Sequence, residues 1–178
     1  MIKIKQITAE NAADLQLKNE PFPMPGRLIP QLQNGSWSYR TEPFEIPESM
    51  VFPDENYTLE EVNCNGVAYG AYENDQCIGL AIYTFDRFRY LYLSDLKVCS
   101  DWRGKGVGKA LIRAGMEEAQ CRNMQGICAI AQDNNLNACL FYLAAGFTIG
   151  GFDNRTYDGT SQQGKADVIF YTRGEIGQ

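Results

Sequence analysis

Between Tyr90 and Gln120 the chain passes from an apolar run, Tyr90–Val98, through Arg103-Gly104-Lys105-Gly106-Val107-Gly108 into an amphipathic stretch. A strand that feeds a helix through closely spaced glycines turns several backbone N–H groups the same way. The positive end of the helix lies behind them, so the bend suits a diphosphate. Glycine is wanted there because a Cβ would hold phosphate oxygens off the amides. The side chains of Arg103, Lys105 and Lys109 add positive potential. A P-loop is ruled out, because Gly104 and Gly108 stand too close and Ala110 replaces the magnesium-binding hydroxyl. A dinucleotide fingerprint fails at Lys109, where a third glycine is required. The pattern that fits is R-x-x-G-x-G over residues 103–108. Read alone, it is either an anion cradle or a glycine-rich helix start with surface basic residues.

The rest of the chain narrows the chemistry. There is no histidine, and the 6 cysteines (Cys64, Cys77, Cys99, Cys121, Cys128, Cys139) form no C-x-x-C pair. Histidine-based triads are therefore impossible, and no metal is expected. Most of these cysteines stand in apolar runs, where a reduced thiol acts as a small core residue. A net charge of −6 argues against nucleic acid and against an anionic membrane surface. It is compatible with a cationic small molecule as well as with no charged partner. The amino-terminal Met1-Ile2-Lys3-Ile4-Lys5 lacks a signal-peptide core, and no run approaches the ~18 apolar residues of a membrane span. A cytoplasmic protein is expected.

The 178 residues fit one domain, 1–178, with a full core. Residues 2–8 alternate as a first strand, and a short helix capped by Thr8 is predicted up to Leu17. All 7 prolines fall between Pro21 and Pro53, so an irregular, substrate-side segment of about 19–60 is expected, folded down by its aromatics. The runs Val67–Tyr72, Cys77–Phe85 and Tyr90–Val98 make an antiparallel meander, with Glu73-Asn74-Asp75-Gln76 as a hairpin turn. A helix to about Arg122 follows, with Lys109, Arg113, Glu117 and Gln120 along its polar stripe. Gly126–Gln132 reads as a buried strand, and a second helix runs from Asp133-Asn134-Asn135 to Ala145, stopped by Gly146. Phe147–Asp153 and Ala166–Thr172 close the chain as strands. The fold class is α+β, with a mixed, mostly antiparallel sheet, flanking helices and one parallel junction where neighbouring strands splay.

At this point the chain resembles the GCN5-related N-acetyltransferase (GNAT) superfamily. Ser94-Asp95-Leu96-Lys97-Val98 followed by Asp101-Trp102-Arg103-Gly104-Lys105-Gly106-Val107-Gly108-Lys109-Ala110-Leu111 is similar to its acetyl-CoA motif. Asn135-x-x-Ala138-x-x-Phe141-Tyr142-x-x-x-Gly146-Phe147 is similar to its second signature. Outside these, Asn19-Glu20-Pro21-Phe22, Gly26-Arg27-Leu28-Ile29-Pro30, Asn34-Gly35-x-Trp37-x-Tyr39 and Gly150-Gly151-Phe152-Asp153-x-x-x-Tyr157 resemble the streptothricin acetyltransferase branch. The resemblance implies acetyl-CoA as co-substrate and a small cationic amine as acceptor, with streptothricin acetylated on its β-lysine portion. Two other classes stay open: a non-catalytic acyl-CoA sensor, and an acetyltransferase of protein lysines or amino termini. A homodimer is allowed by the sequence and not specified by it.

The residue types suggest roles. Direct transfer to an amine needs a neutral amine, a polarised carbonyl and a proton for the departing thiolate. Tyr142 is the expected general acid, since a phenol near pKa ~10 can protonate a thiolate whose thiol lies near ~8.5. Periodicity alone favours packing beside Phe141, and the resemblance to the family's tyrosine reverses that preference. Asn135 is either a helix cap or a contact to the pantetheine arm, and can be both. The strand Tyr90–Val98 loses its alternation at Asp95, which predicts a bulge. By resemblance, the main chain of Leu96, Lys97 and Val98 there polarises the thioester carbonyl. Asp95 is the expected base, or else a structural carboxylate. Cofactor contacts are expected from Arg103, Gly104, Lys105, Gly106, Val107, Gly108 and Lys109. Glu20, Trp37, Tyr39, Asp153 and Tyr157 are the expected substrate contacts. Cys139, one turn before Tyr142, is the one thiol to weigh as a nucleophile.

Overall fold

The computed structural model describes residues 2–173. Its strands, in chain order, are β1 (Lys3–Gln6), β2 (Phe22–Gln33), β3 (Ser36–Met50), β4 (Gly66–Glu73), β5 (Gln76–Arg87), β6 (Tyr90–Val98), β7 (Gly126–Gln132), β8 (Thr148–Asp153) and β9 (Asp167–Arg173). The helices are α1 (Leu59–Asn65), α2 (Val107–Cys121) and α3 (Leu136–Ala144). Strands β1 and β4–β9 belong to a 7-stranded mixed sheet, and β2 and β3 form a separate 2-stranded ribbon. The class is α+β, as expected. The chain is described as two compact units. The first comprises the residues to Glu20, Phe52–Ile127 and Arg173, and the second comprises Pro21–Val51 and Cys128–Thr172.

The first unit carries the strand run β1-β4-β5-β6, each neighbour antiparallel. Hydrophobic residues on one side of it (Ile7, Leu15, Val62, Ala68, Tyr72, Leu80, Ile82) close a core, with Leu17, Tyr57 and Leu59 at its margin. Helix α2 covers another part and buries Val107, Gly108, Leu111, Ile112, Ala114, Gly115 and Ala119. That is the face opposite the polar stripe read from the sequence. Gly115 is required by a close approach. A Cβ there would lie 2.3 Å from the ring of Tyr83, which is fully buried and donates its hydroxyl to the Leu111 carbonyl at 3.1 Å. Gly115→Ala is expected to cost about 3 kcal/mol, because a locked aromatic in a full core has nowhere to go. A chemical denaturation midpoint equal to the parent's would refute this.

The second unit carries β7, β9 and β8, with β8 and β9 antiparallel, together with α3 and the β2–β3 ribbon. Here the sequence expectation needs its main correction. Residues 19–60 are not irregular: Phe22–Gln33 pairs with Ser36–Met50 along almost its whole length. The turn is Asn34-Gly35, both at positive φ (50° and 76°), as a tight two-residue hairpin demands. The prolines fit because a two-stranded ribbon has outward-facing positions that need no ladder N–H. Pro30 faces Tyr39 and Pro43 faces Gly26, while a bulge between Met24 and Gly26 absorbs Pro25. One face of β2, through Met24, Gly26 and Leu28, is buried, and β2 packs on α3. Leu28 N–H donates to the Asp133 carbonyl and Asn137 Nδ2 donates to the Pro23 carbonyl.

Two smaller corrections concern the first unit. The Thr8-capped helix is a single 3-10 turn, Ala12–Gln16, and Asn11 Oδ1 instead accepts the Thr8 N–H at 2.8 Å. The unforeseen helix α1 begins with a capping box. Thr58 accepts from the Glu61 N–H, and the Glu61 carboxylate accepts from the Thr58 N–H.

Candidate active site

The glycine bend sits in the first unit, between β6 and α2. Gly104 and Gly106 have φ of +73° and +85°, and a Cβ built on either meets nothing within 4 Å. Gly106 is the N-cap of α2 and offers no side chain to satisfy the first turn. The first bond of the helix runs from Ala110 N–H to the Gly106 carbonyl at 3.0 Å. The N–H groups of Val107, Gly108 and Lys109 therefore precede the intrahelical ladder and carry its positive end. These features suit the diphosphate of coenzyme A: open space at the glycines, donors in a row and cations on the flank.

The flanking cations are not equivalent. Lys105 Nζ lies 5.0 Å from the centre of the Trp102 ring. Arg103 Nε donates to the Val98 carbonyl at 3.0 Å, so its guanidinium ties the bend to the end of β6. Glu20 joins the same brace: its carboxylate accepts the Ser100 N–H at 2.6 Å and lies 3.8 Å from Arg103. The hydrogen bonds from Ser100, then Arg103, hold the Glu20 carboxyl below its usual range. The structure thus places this expected substrate contact in the first unit, as a brace of the glycine bend.

Strand β6 carries the expected bulge. Ile82 pairs with Asp95 and Tyr83 with Leu93, so Ser94 is the extra residue, and its hydroxyl donates to the Ile82 carbonyl. Beyond it Leu96, Lys97 and Val98 resume the ladder opposite Ala81, Leu80 and Gly79. The Lys97 side chain does not reach the bend. It is buried and pairs with Glu55 and, at 3.3 Å, with Asp95. Burial raises the Asp95 carboxyl above the ordinary range; Lys97 opposes this and Glu55 adds to it. Burial, then Asp95, also pushes up the Tyr57 phenol. Glu55 and Tyr57 are site neighbours that the sequence does not announce. They follow the last proline in a polar stretch with no periodicity.

In the second unit Tyr142 lies on the buried side of α3, its ring 5.5, 5.3 and 5.4 Å from those of Phe141, Phe147 and Phe170. Asn135 caps α3, with Oδ1 accepting the Ala138 N–H at 3.2 Å, so the cap uses the oxygen and not the amide hydrogens. Cys139 is fully buried, and its thiol is pushed up to about 12 by burial and then by Asp133. A thiol that does not ionise near neutrality is no nucleophile. Trp37 and Tyr39 share one face of β3, opposite Leu32 and Pro30. Asp153 accepts the Arg155 and Thr156 N–H groups at the start of the polar connection. Tyr157 donates to Asp167 at 2.8 Å and accepts from Gln132 at 3.0 Å, and its phenol is pushed up to about 12, chiefly by burial. Gln132 and Asp167 were not singled out from the sequence. Their only signal is a polar residue at the end of an apolar strand and another at the start of one.

Among the described residues no group of three or more His, Cys, Asp or Glu side chains could hold a metal ion. No helix of the described residues is long and apolar enough to cross a membrane.

The profile of the acetyltransferase (GNAT) family matches residues 29–147. Streptothricin acetyltransferase A of Bacillus subtilis (strain 168) is 32% identical over 169 residues, 94% of this chain and 98% of that protein. Streptothricin acetyltransferase of Escherichia coli is 29% identical over 130 residues, 72% of this chain and 75% of that protein. A crystal structure of a candidate streptothricin acetyltransferase from Bacillus anthracis str. Ames, in complex with acetyl coenzyme A, superposes with a TM-score of 0.87. It shares 27% identity and covers 98% of this chain and 99% of that one. The fold, the two signatures and these relatives converge: the chain belongs to the acetyltransferase (GNAT) family and is an acyltransferase that uses acetyl-CoA as co-substrate.

Proposed function

We propose that the chain transfers the acetyl group of acetyl-CoA to a primary amine of streptothricin, in its β-lysine portion, and so inactivates the antibiotic. The observation that carries this reading is the reach of the likeness to the Bacillus subtilis relative. At 94% of this chain it takes in the β2–β3 ribbon as well as the cofactor bend. Trp37 and Tyr39 on one face of that ribbon support the reading, since they would offer aromatic faces to a cationic, hydrogen-bonding molecule.

Acetyl-CoA supplies the activated acetyl thioester. The bend holds its diphosphate through the N–H groups of Val107, Gly108 and Lys109, with Lys105 and Lys109 adding charge. The main chain of Leu96–Val98 donates to the thioester carbonyl oxygen, which makes the carbonyl carbon easier to attack. Asp95 takes the proton from the substrate ammonium, which frees the nitrogen lone pair. As the C–N bond forms and the C–S bond breaks, Tyr142 gives its phenolic proton to the departing sulfur, and the second nitrogen proton, shed as the amide forms, restores the phenol. Transfer is direct, because the thiol nearest Tyr142, Cys139, stays protonated. Streptothricin incubated with the protein and acetyl-CoA is expected to gain one acetyl group by mass spectrometry, on the β-lysine portion by fragmentation. An unmodified antibiotic, with acetyl-CoA intact, would reject streptothricin as the acceptor.

A further inference from the structure

One group of charged side chains in the first unit gathers around Asp95 and the side chain of Lys97. The Lys97 ammonium pairs with Glu55 and, 3.3 Å away, with Asp95, and donates to the Leu17 carbonyl at 3.4 Å. The Tyr57 ring stands 5.6 Å from it. Glu55 is in turn fixed from outside the cluster. Asn19 Nδ2 donates to it at 2.9 Å and to the Pro53 carbonyl at 2.8 Å, while the Asn19 N–H donates to Asp54. The segment before α1 is thereby pinned to the bulged strand through a single buried cation.

The consequence follows from sharing. Two carboxylates and one ammonium leave one more negative than positive charge, and a buried cation is held where both anions can reach it. Lys97 sits closer to Glu55, at 2.5 Å, than to Asp95, at 3.3 Å, and Asp95 has the Tyr57 hydroxyl as its other hydrogen-bond neighbour. A cation drawn toward one carboxylate stabilises the other less.

We propose that Glu55 is a positioning residue for acetyl transfer: it draws Lys97 partly away from Asp95 and so keeps Asp95 basic enough to accept the proton of the incoming ammonium. This rests on the reading of Asp95 as the base. The ionisable groups that face Asp95 are Lys97 on its own strand and Glu55 and Tyr57 on the segment before α1. Its cross-strand partner on β5, Ile82, brings none. Removing the Glu55 charge hands all of Lys97 to Asp95 and lowers the Asp95 pKa. Removing the Lys97 charge leaves Asp95 facing Glu55 alone and raises it.

The test is the pH dependence of kcat/KM for streptothricin with the full chain at saturating acetyl-CoA. Glu55→Gln is expected to move the acid limb to lower pH and to reduce the plateau by about 10-fold, as a weakened base should. Lys97→Met is expected to move the limb the opposite way. Asp75→Asn, at an exposed turn carboxylate, is the control for loss of one negative charge and should leave the profile unchanged. Asp95→Asn separates the two readings. If it removes the limb while Glu55→Gln leaves the limb in place, the positioning role is overturned and the base stands. If the limb survives Asp95→Asn, the base reading falls, and the proposal with it. Should Lys97→Met fail to fold, the isosteric Glu55→Gln decides. The Asp95 carboxyl carbon, titrated by NMR without turnover, must then shift to lower pH, and an unmoved titration overturns the proposal.

Discussion

Tyr142→Phe is expected to lower kcat by about 10²- to 10³-fold while the Kd for acetyl-CoA changes by less than about twofold. The asymmetry comes from what the substitution removes. The ring is held by Phe141, Phe147 and Phe170, and a phenylalanine keeps all three contacts. Only the hydroxyl is lost, so stability should fall by no more than about 1 kcal/mol. Loss of a packing residue would look different: reduced stability and weakened binding together, with turnover following in proportion. A sharper discrimination uses the leaving group. A donor whose thiol is more acidic than that of coenzyme A departs as thiolate without assistance, so the variant should recover most of its rate on such a donor, while the parent gains little. A variant that turns over acetyl-CoA at the parental rate would leave the tyrosine as packing, the reading that helical periodicity alone allows.

The difference between what the sequence shows and what it hides follows the range of the interactions. The bend was legible because its geometry is written in adjacent residues: glycines at 104, 106 and 108 shape the backbone locally, and the structure has two of them at positive φ. The bulge was legible for the same reason, as a break in a period of two at Asp95. The β2–β3 ribbon was misread although its turn was present. Asn34-Gly35 is a strong hairpin signal, but 7 prolines between Pro21 and Pro53 suggest irregular backbone. That inference neglects the outward-facing positions of a two-stranded ribbon, where the missing N–H costs nothing. Helix α1 likewise has a signal, Thr58-x-x-Glu61, but it opens a helix of only 7 residues. The Glu55–Lys97–Asp95 cluster could not be read at all. Glu55 stands 42 residues before Lys97, and a third stretch, through Asn19, holds Glu55 and Pro53 in place.

Gly106→Val is the second large effect, and it tests the bend directly. The glycine has φ +85° and ψ 0°, a left-handed conformation that costs an L-residue ~1–2 kcal/mol, more for a β-branched one. Since a Cβ there meets no protein atom within 4 Å, the valine creates no internal clash. Its bulk occupies open space at the start of α2 instead. Coenzyme A affinity, measured calorimetrically, should therefore fall by about 100-fold or more, beyond anything that backbone strain explains. Gly35→Val supplies the matched comparison. It too is left-handed, at φ +76° with nothing within 4 Å, but it lies at the tip of the ribbon in the other unit. The two variants should lose similar stability, and only the first should lose the cofactor. If both bind coenzyme A alike, the loss is strain and the amides after Gly106 do not hold the diphosphate. If Gly106→Val alone fails, the affinity resides in the open approach to those N–H groups, which no side chain of any type can share.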